Sequence, residues 1–169
     1  MLALSLSANV IATAQPQKIG YVNTDSILGK MPAYEQAKQK LEQLSSQWRD
    51  DMQQMHKEIE QLKENYNAQK ILYTKAKQRQ KEQLIAKKTE TLTNYRKNKF
   101  GADGAYYKQQ QILLKPIQRK VYEAIKIVAD QQNIDFVFDR AHNTTLLYAQ
   151  NHWNLNEKVL QKLGFSLKD

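Results

Sequence analysis

Few residues in this chain are placed for bond-making chemistry. His56, His142 and His152 lack ligand spacing, and the chain has no cysteine that could complete a zinc set or act as a nucleophile. Asp135 and Asp139 flank a candidate strand and read as strand-end residues rather than a catalytic pair. Asp50 and Asp51 are adjacent within a helical pattern, where neighbouring side chains diverge. Ser5, Ser26 and Ser45 have no base arranged near them by any motif, and no Gly-rich loop is present to cradle phosphates. The expectation is a protein without catalytic, cofactor or metal residues, and so not an enzyme.

The chemistry that remains is binding. The chain carries 26 Lys and Arg against 17 Asp and Glu, a net charge of +9. Such a balance favours anionic partners: nucleic acid, lipid or glycolipid head groups, or acidic polypeptide. The charge is concentrated. Lys75, Lys77, Arg79, Lys81, Lys87, Lys88, Arg96, Lys97 and Lys99 face only Glu82 and Glu90 in the same stretch. This run reads either as a plain solvated face or as a functional surface. No helix-turn-helix, zinc-finger or RNP-type aromatic signature accompanies it, so specific nucleic-acid recognition is not expected.

The elements that must carry this surface are helical. Tyr34, Ala37, Leu41, Leu44, Trp48, Met52, Met55, Ile59, Leu62 and Tyr66 step by three and four, with one extra four-residue step between Trp48 and Met52. That is a heptad seam with a stutter. The spacing predicts a helix from about Pro32 to Gln69, which must lie along a partner helix to bury so narrow a seam. A return helix from Lys75 is expected, capped by Thr74, with the hairpin tip between Asn67 and Thr74. The return arm is poor in apolar residues (Ala76, Leu84, Ile85, Ala86, Leu92, Tyr95), so the distal hairpin should be weakly zipped. Phe100–Gly104 should break the helix, and Pro116 should kink its continuation. Trp48, Met52, Met55 and Tyr66 are candidate client contacts as well as seam residues, methionine being adaptable at promiscuous surfaces.

The ends look like a small α+β unit. Strands are expected at 18–23, 134–139 and 145–149, the last two as a hairpin. Thr24 or Asp25 should cap a short helix after the first strand, and Asn154 or Asn156 a last helix ended by Gly164. Residues 1–14 are apolar and small, and Ala12-Thr13-Ala14 has the form of a signal-peptidase site. No basic residue precedes them. They read as the remnant of a signal peptide, with cleavage after Ala14, or as a disordered apolar terminus.

Lys-Ile-Gly-Tyr-Val-Asn at 18–23, the Met31-Pro32 entry to a long polar helix, and Tyr122-Glu-Ala-Ile-Lys-Ile-Val-Ala129 resemble the Skp/OmpH family of periplasmic chaperones. So do Ile134-Asp-Phe-Val-Phe-Asp139, Leu147-Tyr148-Ala149 and the Asn156–Leu163 helix. The break at Phe100–Gly104 followed by Leu114-Lys-Pro-Ile117 is similar to a Bacteroidetes-type branch. The resemblance covers the chain after residue 17. It implies an α+β, jellyfish-like homotrimer in which a small β-rich body holds long helical hairpin arms around a cavity for unfolded outer-membrane proteins. It also implies a periplasmic location and no use of ATP.

The expected organisation is an α/β trimerisation body from 15–31 and 117–169 and an arm from 32–116. Trimerisation is also expected physically, since short strands leave edges exposed and about sixty residues make a marginal core. Ile19, Tyr21, Val22, Phe136, Val137, Phe138, Leu146, Leu147 and Tyr148 are the candidate trimer residues. Lys75, Lys77, Arg79, Lys81, Lys87 and Lys88 are candidate client-binding cations. Partners are then unfolded outer-membrane proteins and other copies of the chain, with anionic lipid or lipopolysaccharide as a further class. A different class of reading is a basic coiled-coil envelope adaptor that binds anionic lipid or polymer without chaperone action.

Overall fold

The computed structural model describes residues 16–141 and 146–166. The leader segment 1–14, Ser5, His142 and Thr145 lie outside these residues. In chain order the elements are β1 (Ile19–Val22), α1 (Thr24–Gly29), α2 (Pro32–Gln69), a 3-10 turn (Lys70–Leu72), α3 (Lys75–Phe100), α4 (Ala105–Gln132), β2 (Phe136–Asp139), a second 3-10 turn (Asn151–Trp153) and α5 (Asn156–Lys162). The fold is α+β, dominated by a long helical hairpin.

The hairpin follows from its seam. Pro32 opens α2 at the helix start, where a missing N–H is harmless. Every seam position from Tyr34 to Tyr66 is buried or half-buried, including both sides of the stutter at Trp48 and Met52. Thr74 caps α3, its Oγ1 accepting from the Lys77 N–H at 3.3 Å. Among the described residues α3 has none that is fully buried. Its inward stripe is Gln78, Lys81, Ile85, Lys88, Leu92, Tyr95 and Lys99, all half-buried at heptad spacing. Leu84, Ala76 and Ala86 are exposed instead, so an apolar seam on α2 meets a largely polar one on α3.

Two glycines make the break between α3 and α4 possible. A Cβ on Gly101 would sit 2.4 Å from the Lys97 carbonyl oxygen, and one on Gly104 would sit 2.7 Å from that of Lys99. Beyond the break α4 runs through Pro116 as one helix and buries Leu114, Val121, Ala124, Val128 and Ala129. Asn133 ends it in the left-handed region, at φ 51°.

The body core gathers Val22, Ile27, Leu28 and Met31 with the C-terminal half of α4, Ile134, and Leu155, Val159 and Leu160 around α5. A smaller cluster of Ala37, Leu41 and Leu114 lies where α2 meets α4. The cap of α1 is Asn23, whose Oδ1 accepts from the Ser26 N–H at 2.9 Å. Thr24 is occupied elsewhere: its hydroxyl donates to Asp139 Oδ2 at 2.6 Å and its N–H to Asp139 Oδ1 at 3.1 Å. For α5, the Asn154 side chain accepts from the Asn156 N–H at 3.0 Å.

The sheet differs from the expectation. β1 and β2 pair in parallel, with Ile19 opposite Phe136 and Val22 opposite Asp139. Residues 146–150 form no strand, and the expected hairpin with 134–139 is not formed by the described residues. The second edge of β1 is taken instead by the entry to α5. Tyr21 bridges Asn154, the Leu155 N–H donates to the Tyr21 carbonyl at 2.9 Å, and the Asn23 N–H donates to Asn156 Oδ1 at 2.8 Å. The chain that follows is committed to the far side of β1, where Asn154 bridges Tyr21, and not to a return along β2.

Candidate binding surfaces

The distal arm is held by polar contacts placed at intervals along the seam. Tyr95 Oη donates to Asp51 Oδ2 at 2.6 Å, and Tyr66 Oη donates to Glu82. Lys88 Nζ pairs with Glu58 Oε1 at 2.8 Å. Both tyrosines are pushed up to about 12. For Tyr66 the bond to Glu82 is the leading cause, ahead of burial, whereas for Tyr95 burial leads and the bond to Asp51 follows. In each case the carboxylate oxygen needs the phenolic proton, so the neutral tyrosine is favoured. Nearer the break, Trp48 meets the Phe100 ring edge-on at a centroid distance of 5.9 Å, and Lys99 Nζ lies 4.7 Å from the centre of the indole.

These contacts sort the candidate residues. Trp48 and Tyr66 are turned into the closed hairpin, and Met52 and Met55 are half-buried beside them. All four lie on one face of α2. Lys75, Lys77, Arg79 and Lys87 are exposed on α3. Lys81 and Lys88 are not part of that outward group: both are half-buried on the inward stripe, and Lys88 is paired with Glu58. Their register places them opposite α2, a consequence of heptad spacing that a simple charge count does not separate.

At the body end, Ile19, Phe136 and Phe138 form an exposed face of the two-stranded sheet. Leu147 and Tyr148 are 92% and 79% exposed, and Leu146 is half-buried. Tyr21 and Val22 are already buried within the chain: Val22 in the body core, and Tyr21 close to the Arg140 guanidinium, 5.2 Å from its ring centre. Val137 packs partly against the same core. Val22 and Val137 lie on the core side of the sheet, and Tyr21, on the same side as Ile19 and Phe138, is buried with Arg140 over its ring, so these three present less surface to another subunit.

Several of the Asp, Ser and His residues have structural partners. Asp51 accepts from Tyr95, Asp139 from Thr24, and Asp135 Oδ2 from the Lys18 N–H at 2.8 Å. The Ser45 hydroxyl donates to the Glu42 carbonyl at 3.0 Å, and His152 packs on Trp153 with ring centres 4.5 Å apart.

One surface escaped sequence reasoning. Lys108, Ile112, Lys115, Arg119, Tyr122 and Lys126 form an exposed, basic stripe along α4. Their steps of four and three carry the signal, which is masked in the sequence by the denser apolar face of the same helix. The hairpin tip falls within the expected 67–74, and there Ile71 and Leu72 of the 3-10 turn are 95% and 83% exposed.

Among the described residues no helix is long and apolar enough to cross a membrane. A family model described as outer membrane protein (OmpH-like) matches residues 18–163. No curated protein matches the chain.

Proposed function

From the premise that this chain belongs to the OmpH-like family, a family of periplasmic chaperones for outer-membrane proteins, we propose that it is an ATP-independent holdase. The observation that carries this reading is the mismatch along the hairpin: α2 offers an apolar seam, and α3 answers it with no fully buried residue. Such an arm is closed by one narrow apolar seam together with hydrogen bonds and the Lys88–Glu58 pair, which water can replace, and it can open without disturbing the body. The outward cations Lys75, Lys77, Arg79 and Lys87 draw in an acidic unfolded chain. Opening then offers Trp48, Met52, Met55 and Tyr66 as an adaptable apolar surface. Exposed charge pairs contribute only about 0–1 kcal/mol each, so retention comes from many weak contacts, and a client leaves without ATP when it can fold elsewhere.

The same reading assigns the body, 15–31 and 117–169, to homotrimer assembly and the segment 32–116 to the arm. Ile19, Phe136, Phe138, Leu147 and Tyr148 would meet neighbouring subunits. Burial of this apolar face and of the free β2 edge favours association. In the periplasm three arms would enclose a client. The test is light scattering from an unfolded β-barrel protein diluted into buffer. The proposed holdase suppresses aggregation at stoichiometric amounts without nucleotide. A protein that binds anionic polymer but leaves the scattering unchanged is an envelope adaptor, and the chaperone reading fails.

A further inference from the structure

We infer that the groove between α2 and α4, at the root of the arm, binds an extended basic peptide segment of a partner protein. The inference goes beyond chaperone action and does not rest on it. Such a partner is opposite in charge to the anionic ones that the net charge of +9 favours.

The first observation is the shape of the groove. A recess of about 480 Å³ between the start of α2 and the start of α4 meets a second of about 250 Å³ beside α1 and the end of β2. The two share Tyr34, Gln110 and Leu114, so they run on as one groove. Its α4 wall is Tyr106, Gln110, Leu114, Gln118 and Tyr122, a row at steps of four that makes one helix ridge. The row is about 24 Å long. An extended chain covers that length in about seven residues.

The second observation is the set of polar groups open along it. Gln110 and Gln118 are half-buried, and their side-chain amides make no hydrogen bond among the described residues. The same holds for the hydroxyls of Tyr34, Tyr106 and Tyr122, whereas those of Tyr66, Tyr73 and Tyr95 are bonded. A side-chain amide both donates and accepts, so it can pair with the N–H and C=O groups of an extended main chain. Leu28, Leu41, Leu114 and Val121, all buried, supply an apolar floor for aliphatic side chains.

Charge is the third observation. Asp25, Glu35, Glu42 and Asp139 line the groove against Lys38 alone, in a chain whose balance is strongly basic. Asp139 is engaged with Thr24, Glu42 pairs with Arg49 at 2.7 Å, and Glu35 lies 3.9 Å from Lys38. The last two pairs are open to solvent, so a Lys or Arg of the partner can exchange into them at small cost. The tyrosine rings add faces that attract such cations. A polyamine would answer the carboxylates but offers no acceptor for the glutamine N–H groups. A neutral glycan would answer the amides and leave the carboxylates unmatched. A basic peptide answers both.

The test is fluorescence anisotropy of two labelled heptapeptides with the full chain at low salt, one alternating lysine with valine and the other glutamate with valine. Wild type should bind the lysine peptide in the groove. Asp25→Asn/Glu35→Gln/Glu42→Gln should lose about tenfold of that affinity, as several weak charge contacts go together. Gln110→Ala/Gln118→Ala should lose about fivefold with every charge in place. Both variants should keep the circular dichroism of wild type and its affinity for the glutamate peptide. A wild-type chain that does not bind the lysine peptide overturns the proposal, whether or not a second copy of the chain covers the groove. So does an alanine variant that binds as tightly as wild type, which would assign binding to charge alone. A charge variant that binds as tightly as wild type, or one that loses both peptides alike, overturns it too.

Discussion

The body and the distal arm are built from the same helix-forming residues and held together by opposite means. In the body, Ile27, Leu155, Val159 and Leu160 are shut away from water in a cluster that joins both chain ends. Along the arm, α3 lays Gln78, Lys81, Lys88 and Lys99 on the seam of α2, and tyrosine–carboxylate bonds tie the two helices at Tyr66 and Tyr95. Apolar burial is non-directional and hard to undo locally, whereas half-buried polar links can be exchanged for water. The contrast separates a part that must persist from a part that can open.

Putting an uncompensated charge into the body should have the largest effect. Leu160→Asp buries a carboxylate against Val159 and Leu155, a penalty of several kcal/mol. Against a typical total of about 5–15 kcal/mol, the thermal melt should lose its cooperative transition. In the arm, Trp48→Ala removes the largest seam side chain. Trp truncations cost about 3–5 kcal/mol when fully packed, and this one should fall at the low end. Hydrogen exchange should quicken in the distal parts of α2 and α3 and stay slow in α5. Equal quickening in both regions would erase the distinction.

The assembly face offers a finer separation. Phe136→Asp/Phe138→Asp changes residues already open to solvent in the single chain, so secondary structure should be kept. Sedimentation equilibrium should move from about three times the 19.7 kDa chain mass, less any removed leader, to a single copy. A wild-type chain that is monomeric at micromolar concentration contradicts the proposed assembly.

The smallest effect is in alkali. Tyr66 and Tyr95 ionise near 12 in the folded arm against an ordinary value of 10. A raised pKa means that the protonated phenol is the stabilising form. Its contribution is complete below pH 10 and is lost as pH rises from 10 toward 12. Arm opening, followed by Trp48 fluorescence with Trp153 changed to Phe, should therefore occur in that window. Tyr66→Phe/Tyr95→Phe should weaken the arm at neutral pH and flatten the alkaline step.

The hairpin was legible because its information is local. A seam from Tyr34 to Tyr66, Pro32 at the start, Thr74 at the cap and Gly101 and Gly104 at the break act through neighbours in sequence. The sheet was not, because strand pairing depends on which edge is free. The expected hairpin would pair 145–149 with β2, but the chain crosses instead to the other edge of β1 at Asn154, over 130 residues from Tyr21, and nothing near 145–149 signals that contact. Candidate site residues divided for the same reason. Counting charges groups Lys81 and Lys88 with Lys75, whereas helical register turns the first two inward.

On the proposed mechanism the outward cations capture clients, whereas Lys81 and Lys88 face α2 and Lys88 is paired with Glu58. Two variants divide these roles: Lys75→Gln/Lys77→Gln/Arg79→Gln/Lys87→Gln and Lys81→Gln/Lys88→Gln. Affinity for an unfolded outer-membrane β-barrel protein, measured at low salt where screening reaches only beyond about 30 Å, should fall about tenfold or more in the outward variant as several weak charge contacts are lost together. It should stay within about twofold of wild type in the inward variant. An outward variant that holds the client as tightly as wild type would leave those cations a solvated face and contradict the account.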